Sequence, residues 1–154
     1  MRTTISTFLL IASSAVASAQ SGSQTASQGG VTWGPAPAVF PAGAQMAVLQ
    51  GDPSGSALFT VRLRLPDGYK LAPHTHPTDE HVTVISGTFR VGMGTTIDPK
   101  GMMTLQPGGF VTAPANHAHY AIAQGVTIVQ VHALGPFALT YVNPADNPQT
   151  SASR

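Results

Sequence analysis

From residue 44 to residue 142 the apolar residues come in short runs cut off by Gly, Pro or Asp, and they never keep a helical period. Val61-Arg62-Leu63-Arg64-Leu65 alternates apolar and charged residues, as a half-buried strand does, and Pro66-Asp67-Gly68 ends it in a turn. Val82-Thr83-Val84-Ile85 stops at Ser86-Gly87, and Thr88-Phe89-Arg90-Val91 follows at once, which predicts a hairpin. Residues 110–113, 119–123, 127–132 and 137–142 are further β-rich runs, with Gly125 and Gly135-Pro136 between them. Such closely spaced strands predict an all-β sandwich or barrel that needs no helix. There is no internal repeat, so a second barrel is not expected.

The ends of the chain read differently. Arg2, the apolar residues 8–16 and Ala17-Ser18-Ala19 have the layout of a secretory signal peptide, predicted over 1–19 with cleavage after Ala19. This predicts a periplasmic or secreted protein. Residues 20–43 divide into a Ser/Gln/Gly-rich lead-in and, over 31–43, an arm with Trp33, Phe40 and three prolines. The arm is expected to pack on the barrel or on a partner subunit. The barrel itself is predicted over 44–142. Residues 143–154 form a polar tail, broken by Pro144 and Pro148, that is expected to fray. The chain has no cysteine, so disulfides and thiolate chemistry play no part. Loss of Arg2 with the signal peptide leaves six basic against six acidic side chains. That balance offers no basic face to nucleic acid or to an anionic membrane.

All six histidines lie between residues 74 and 132, and the only glutamate, Glu80, sits among them. Pro73-His74-Thr75-His76-Pro77-Thr78-Asp79-Glu80 is not helical, because Pro77 would break a helix and Pro73 biases its predecessor to extended geometry. In extended chain, side chains two apart share a face, so His74 and His76 address one point. A short loop at 77–79 lets Glu80 enter the next strand on the same inner face. Two imidazoles and a carboxylate make most of a site for a divalent transition metal, and a further ligand must come from a distant strand.

Gly68-x5-His74-x-His76-x3-Glu80-x6-Gly87 resembles the first motif of the cupin family, and Gly108-x5-Pro114-x-Asn116-x2-His119 resembles the second. The resemblance implies a single antiparallel jelly-roll β-barrel with one metal ion inside, held by His74, His76, Glu80 and His119. The second motif departs from the family pattern at Asn116, where glycine is common, and at Ala123, where asparagine is common. Asn116 keeps access to left-handed geometry. Ala123 gives up an anchoring side-chain hydrogen bond.

The remaining histidines are weighed by pleat and spacing. His81 follows Glu80 directly and turns to the outer face. His117 is either a substrate contact at the rim or a surface residue. Gln130 and His132 share a strand face with Ile128; facing inward they would contact substrate, and with Val129 and Val131 inward they would face out. Arg62 and Arg64 are expected to face out. Met93, Phe89, Phe110 and Phe137 are either lining of the inner wall or, the favoured reading, ordinary core.

Three imidazoles and one carboxylate leave coordination positions open, and Fe, Mn, Ni, Co, Cu and Zn all accept this donor set. Cupins with such ligands include dioxygenases, so the resemblance implies a metal-dependent oxidoreductase acting on a small oxygenated molecule. Glu80 would be both ligand and catalytic proton acceptor. The alternative is a non-catalytic cupin that binds a metal or a small ligand; a metal-assisted isomerase would need a clearer acid–base pair. A homodimer is expected by analogy with other cupins.

Overall fold

The computed structural model describes residues 30–151. The predicted signal peptide at 1–19, the lead-in to residue 29 and residues 152–154 lie outside the described residues. The strands are β1 (Gly34–Pro35), β2 (Gln45–Gln50), β3 (Leu58–Leu65), β4 (Lys70–Thr75), β5 (Glu80–Met93), β6 (Met103–Leu105), β7 (Phe110–Ala113), β8 (His119–Leu134) and β9 (Thr140–Tyr141). All pair antiparallel in one curled sheet, ordered β1-β2-β3-β8-β4-β9, with β5 against β6, β7 and β8.

The 16-residue β8 is the spine. Its first part lies between β4 and β5, with Leu71 opposite Ala121; its last part lies between β3 and β5, with Val61 opposite Val131. Exchanging β4 for β3 along one strand curls the sheet into the jelly-roll barrel. Phe59, Val61, Leu63 and Leu65 face inward from β3, opposite Val129 and Val131 of β8 and Val82 and Val84 of β5; all are at most 5% exposed. Each such side chain contributes roughly 1.5–3 kcal/mol by leaving water.

The hairpin predicted at Ser86-Gly87 does not form. β5 runs straight through as one bent strand, its register against β8 shifting around Ser86, and Gly87 takes φ 79°. The bulge reverses the pleat: Val82 and Val84 face in before it, Phe89 and Val91 after it. Ser-Gly signals a turn and a bulge alike, and the long partner strand decides between them. Residues 137–142 shorten to β9. Phe110 and Met93 do not line the interior; they are exposed, Phe110 by 57%. In the tail, Asn143 caps a 3-10 turn at Pro144–Asp146, and a helical turn at Pro148–Ser151 follows. The arm packs on its own barrel, with β1 against β2 and Phe40 buried.

The bulge makes a sharp demand on Gly87. A β-carbon there would stand 2.5 Å from the Val126 carbonyl oxygen and 2.6 Å from Thr127 Oγ1. At Gly108, also left-handed with φ 87°, a β-carbon would meet nothing within 4 Å. Urea unfolding should therefore show Gly87→Ala losing about 2–4 kcal/mol and Gly108→Ala about 1 kcal/mol. Equal losses would mean that the bulge is not packed as described.

Candidate metal centre

His74 lies near the end of β4, His76 just beyond it, Glu80 opens β5 and His119 opens β8. All four side chains are buried in the barrel. His74 and His119 are direct cross-strand partners, with ring centroids 4.3 Å apart, and the pleat puts His76 on the same face. One ligand atom from each of His74, His76 and His119 lies within 4.8 Å of the others. Glu80 Oε2 is 3.3 Å from His119 Nε2 and 3.7 Å from His76 Nε2.

The tautomers follow from the hydrogen bonds. His74 Nδ1 donates to the Ala72 carbonyl at 2.7 Å, His76 Nδ1 to Ala138 at 2.7 Å and His119 Nδ1 to His117 at 3.1 Å. A carbonyl oxygen only accepts, so each Nδ1 carries the proton and each neutral ring turns its Nε2 lone pair inward. His76 Nε2 and His119 Nε2 are buried with no hydrogen-bond partner. Two orphaned nitrogens beside a buried carboxylate would be costly without a cation, and a divalent ion would supply what every one of these atoms lacks. The residues present fit such an ion.

The electrostatics favour the neutral ring at His74 and His76 and the protonated one at His119. Burial, reinforced by His119 and His76, pushes His74 down to about 3, so no proton competes for it at neutral pH. Burial also lowers His76. Burial alone would raise Glu80, but contact with His119 and the other two imidazoles outweighs it and holds the carboxyl below its usual range. Burial would likewise lower His119, and Glu80 reverses the direction.

The loops that carry the ligands are tied to one another. Asp79 Oδ1 accepts from the Ala115 amide at 2.7 Å, and the Asn116 amide donates to the His76 carbonyl at 2.7 Å. Asn116 is left-handed, φ 59°, as the second motif requires of its glycine position. Ala123 keeps its anchorage through its backbone, donating to Tyr69 O and accepting from the Gly68 amide. Asp67 adds a side-chain anchor by accepting from the Gly125 amide at 2.6 Å.

The four polar residues line a cavity of about 30 Å³, room for a water or two, whose other walls are all apolar, among them Phe40, Leu63, Phe89, Val131 and Leu139. Phe137 stacks on the His76 ring at 4.4 Å. Gln130 and His132 are not in this lining. Val129 and Val131 take the inward positions, and Gln130 and His132 face out in a hydrogen-bonded chain. Arg62 Nε donates to Gln130 Oε1 at 3.0 Å and Gln130 Nε2 to His132 Nε2 at 3.1 Å; His132 Nδ1 then donates to Thr60 Oγ1 at 2.9 Å. Arg64 and His117 are exposed, and His117 meets the site only through its carbonyl. His81 also faces out, bonded to Thr112 and stacked on Phe110. The Ala72 and Ala138 carbonyls, Asp79, Phe40 and Leu139 are parts that sequence reading does not find. Every residue has a carbonyl, so no side-chain signal marks Ala138.

A family model described as the ChrR cupin-like domain matches residues 22–138. No curated protein sequence matches the chain. Among solved structures, a Methylibium petroleiphilum PM1 protein described provisionally as an acetylacetone dioxygenase is 25% identical, TM-score 0.58, covering 77% of this chain and 79% of that one. The polyketide cyclase RemF from Streptomyces resistomycificus is 14% identical, TM-score 0.61, with 80% and 88% covered. KdgF from Halomonas sp. is 20% identical, TM-score 0.53, with 68% and 86% covered. The latter two likenesses are of fold alone.

Elemental analysis of the purified protein should find one transition-metal ion per chain, and His119→Ala and Glu80→Ala should each lose most of it. Metal content unchanged in both variants would refute the ligand set. Metal at a hundred times its dissociation constant should stabilise the protein by about 2.7 kcal/mol, raising its melting temperature, and the rise should vanish in both variants. On the outer face, Gln130→Ala and His132→Ala should keep full metal content and cost about 1 kcal/mol each in stability.

Proposed function

The chain belongs to the ChrR cupin-like domain family, and from this and its cavity we propose a metal-dependent oxidoreductase of the dioxygenase kind, acting on a small oxygenated organic molecule. In this reading His74, His76, Glu80 and His119 hold one divalent ion. The observation that carries it is the pair of buried, unpartnered imidazole nitrogens facing Glu80 inside an apolar chamber. An ion held there would supply Lewis-acid polarisation of a substrate oxygen and, if redox-active, electrons for reaction with dioxygen.

The chain's own residues supply the rest. The aliphatic and aromatic walls take the carbon body of the substrate and keep water out, which strengthens every charge interaction inside. No polar side chain outside the ligand set lines the cavity, so a substrate is oriented by its own oxygens and by shape. Glu80 is the only carboxylate there and is the proton acceptor. A compact molecule with two neighbouring oxygens, such as a β-diketone in its enol form, matches the apolar character of these walls and requires the cavity to widen as it binds. The provisional description of the Methylibium protein points the same way. The proposal places this work in the periplasm or outside the cell, on the strength of the signal-like residues 1–19.

One observation favours the non-catalytic reading: the chamber is small and without an acid–base group beyond His74, His76, Glu80 and His119. Oxygen uptake separates the two. Iron, manganese and nickel forms, each assayed with β-diketones, enediols, catechols and flavonols, should show one combination consuming dioxygen in step with substrate, and Glu80→Gln should lower its rate at least about a hundredfold. Fully loaded protein inert with the whole panel would leave binding as the function.

A further inference from the structure

The cavity has room for a water or two, so any larger molecule enters only if a wall moves. Four walls are poor candidates. β3, β4, β5 and β8 each carry hydrogen-bonded ladders on two sides. The other walls are Val111 and Ala113 of β7, which is laddered to β5, Leu139, whose neighbour Ala138 accepts the His76 Nδ1 bond, and Phe40, which comes from the arm over residues 31–43. The arm's one strand is the two-residue β1, which pairs with β2 on one side. Pro35, Pro37 and Pro41 have no amide hydrogen to give, so the arm cannot zip further into the sheet.

Beside the backbone bond from the Ala36 amide to the Ala44 carbonyl at 3.1 Å, two side-chain hydrogen bonds hold it shut. Tyr141 Oη donates to the Val39 carbonyl at 2.9 Å, and Tyr69 Oη donates to the Pro41 carbonyl at 2.7 Å. Their acceptors are the residues immediately before and after Phe40, so the pair clamps the backbone on both sides of that ring and drives it inward. The two donors stand at opposite ends of β4: Tyr69 just precedes it, and Tyr141 is paired with His74. On the far side Gly43, at φ 101°, joins the arm to β2 through a backbone conformation that side chains resist.

We propose that the arm is a lid over the metal cavity, with Phe40 as its plug, Tyr69 and Tyr141 as its latches and Gly43 as its hinge, and that Phe40 sets the size of what reaches the metal. The proposal rests on the metal-centre reading for its purpose, though not for the motion itself. Segments held by few hydrogen bonds and one buried side chain open at far lower cost than the whole fold. Tyr141 also touches the site, its ring 6.2 Å from that of His74, so the latch and a ligand share one contact.

Trp33, the chain's only tryptophan, sits half-buried in the arm and reports its position by fluorescence. The test uses cobalt-loaded full-length protein, with azide and 4-nitrocatechol as probes followed by absorbance in stopped flow. Azide should bind at a rate proportional to its concentration in every variant. Nitrocatechol should level off at the opening rate of the lid, with Trp33 emission changing at that same limit. Tyr69→Phe/Tyr141→Phe should raise the limit about ten- to thirtyfold, the effect of two hydrogen bonds of ordinary net strength, and Phe40→Ala should abolish it. Nitrocatechol rates that never level off and are equal in all three proteins would overturn the lid, as would binding with Trp33 emission unmoved. Failure to take up cobalt would count against the metal centre instead. Hydrogen exchange would then read the lid alone: the Ala36 and Phe40 amides should exchange about ten- to thirtyfold faster in the double variant, and equal rates would overturn it.

Discussion

Three backbone carbonyls govern the interior of this barrel. Ala72, Ala138 and His117 each take the Nδ1 proton of one imidazole, and that single requirement aims three Nε2 lone pairs at one point. A buried carboxylate then stands among them. A group of acceptors this concentrated is stable only with a cation or shared protons between them, because unpaired buried charge costs several kcal/mol. The arrangement makes sense as a prepared coordination shell. The barrel around it is the device that keeps water from satisfying those atoms more cheaply.

The sheet's curl is what lets distant strand ends meet. Met93, at the end of β5, is the cross-strand partner of His119, yet the His119 ring also comes within 3.3 Å of Glu80, at the start of the same β5. A flat strand of 14 residues would separate its ends by some 45 Å, at about 3.3 Å per residue. The bulge at Gly87 supplies the bend and resets the pleat so that both halves of β5 still present apolar residues to the core. The Asp79–Ala115 and Asn116–His76 links then tie the loop that leads into Glu80 to the one that leads into His119.

Chemistry inside such a chamber is limited by what its walls lack. Outside His74, His76, Glu80 and His119 every lining residue is apolar, so in the proposed reading selectivity would fall to shape, to substrate oxygens that can reach a metal, and to whatever controls entry. The polar residues that could have oriented a substrate, Gln130 and His132, satisfy one another on the outer surface together with Arg62 and Thr60. Entry is where the N-terminal arm joins the same physical system, because its Phe40 completes the wall.

Much was legible in the residues alone. Period-two runs punctuated by Gly and Pro required a β fold, and the proline-bracketed His74 and His76 had to share a face because an extended chain repeats every two residues. Asn116 announced a left-handed turn, since few other side chains tolerate one. The sequence could not choose between turn and bulge at Gly87 or between the two faces at Gln130 and His132. Each of these depends on which strand lies alongside, and that partner is more than 35 residues away for Gly87, whose neighbours Ser86 and Thr88 pair with Ile128 and Gln124. The sequence by itself determined which atoms were available to hold a metal. Only the tertiary structure decided where those atoms point, because the carbonyls that orient them carry no side-chain signature.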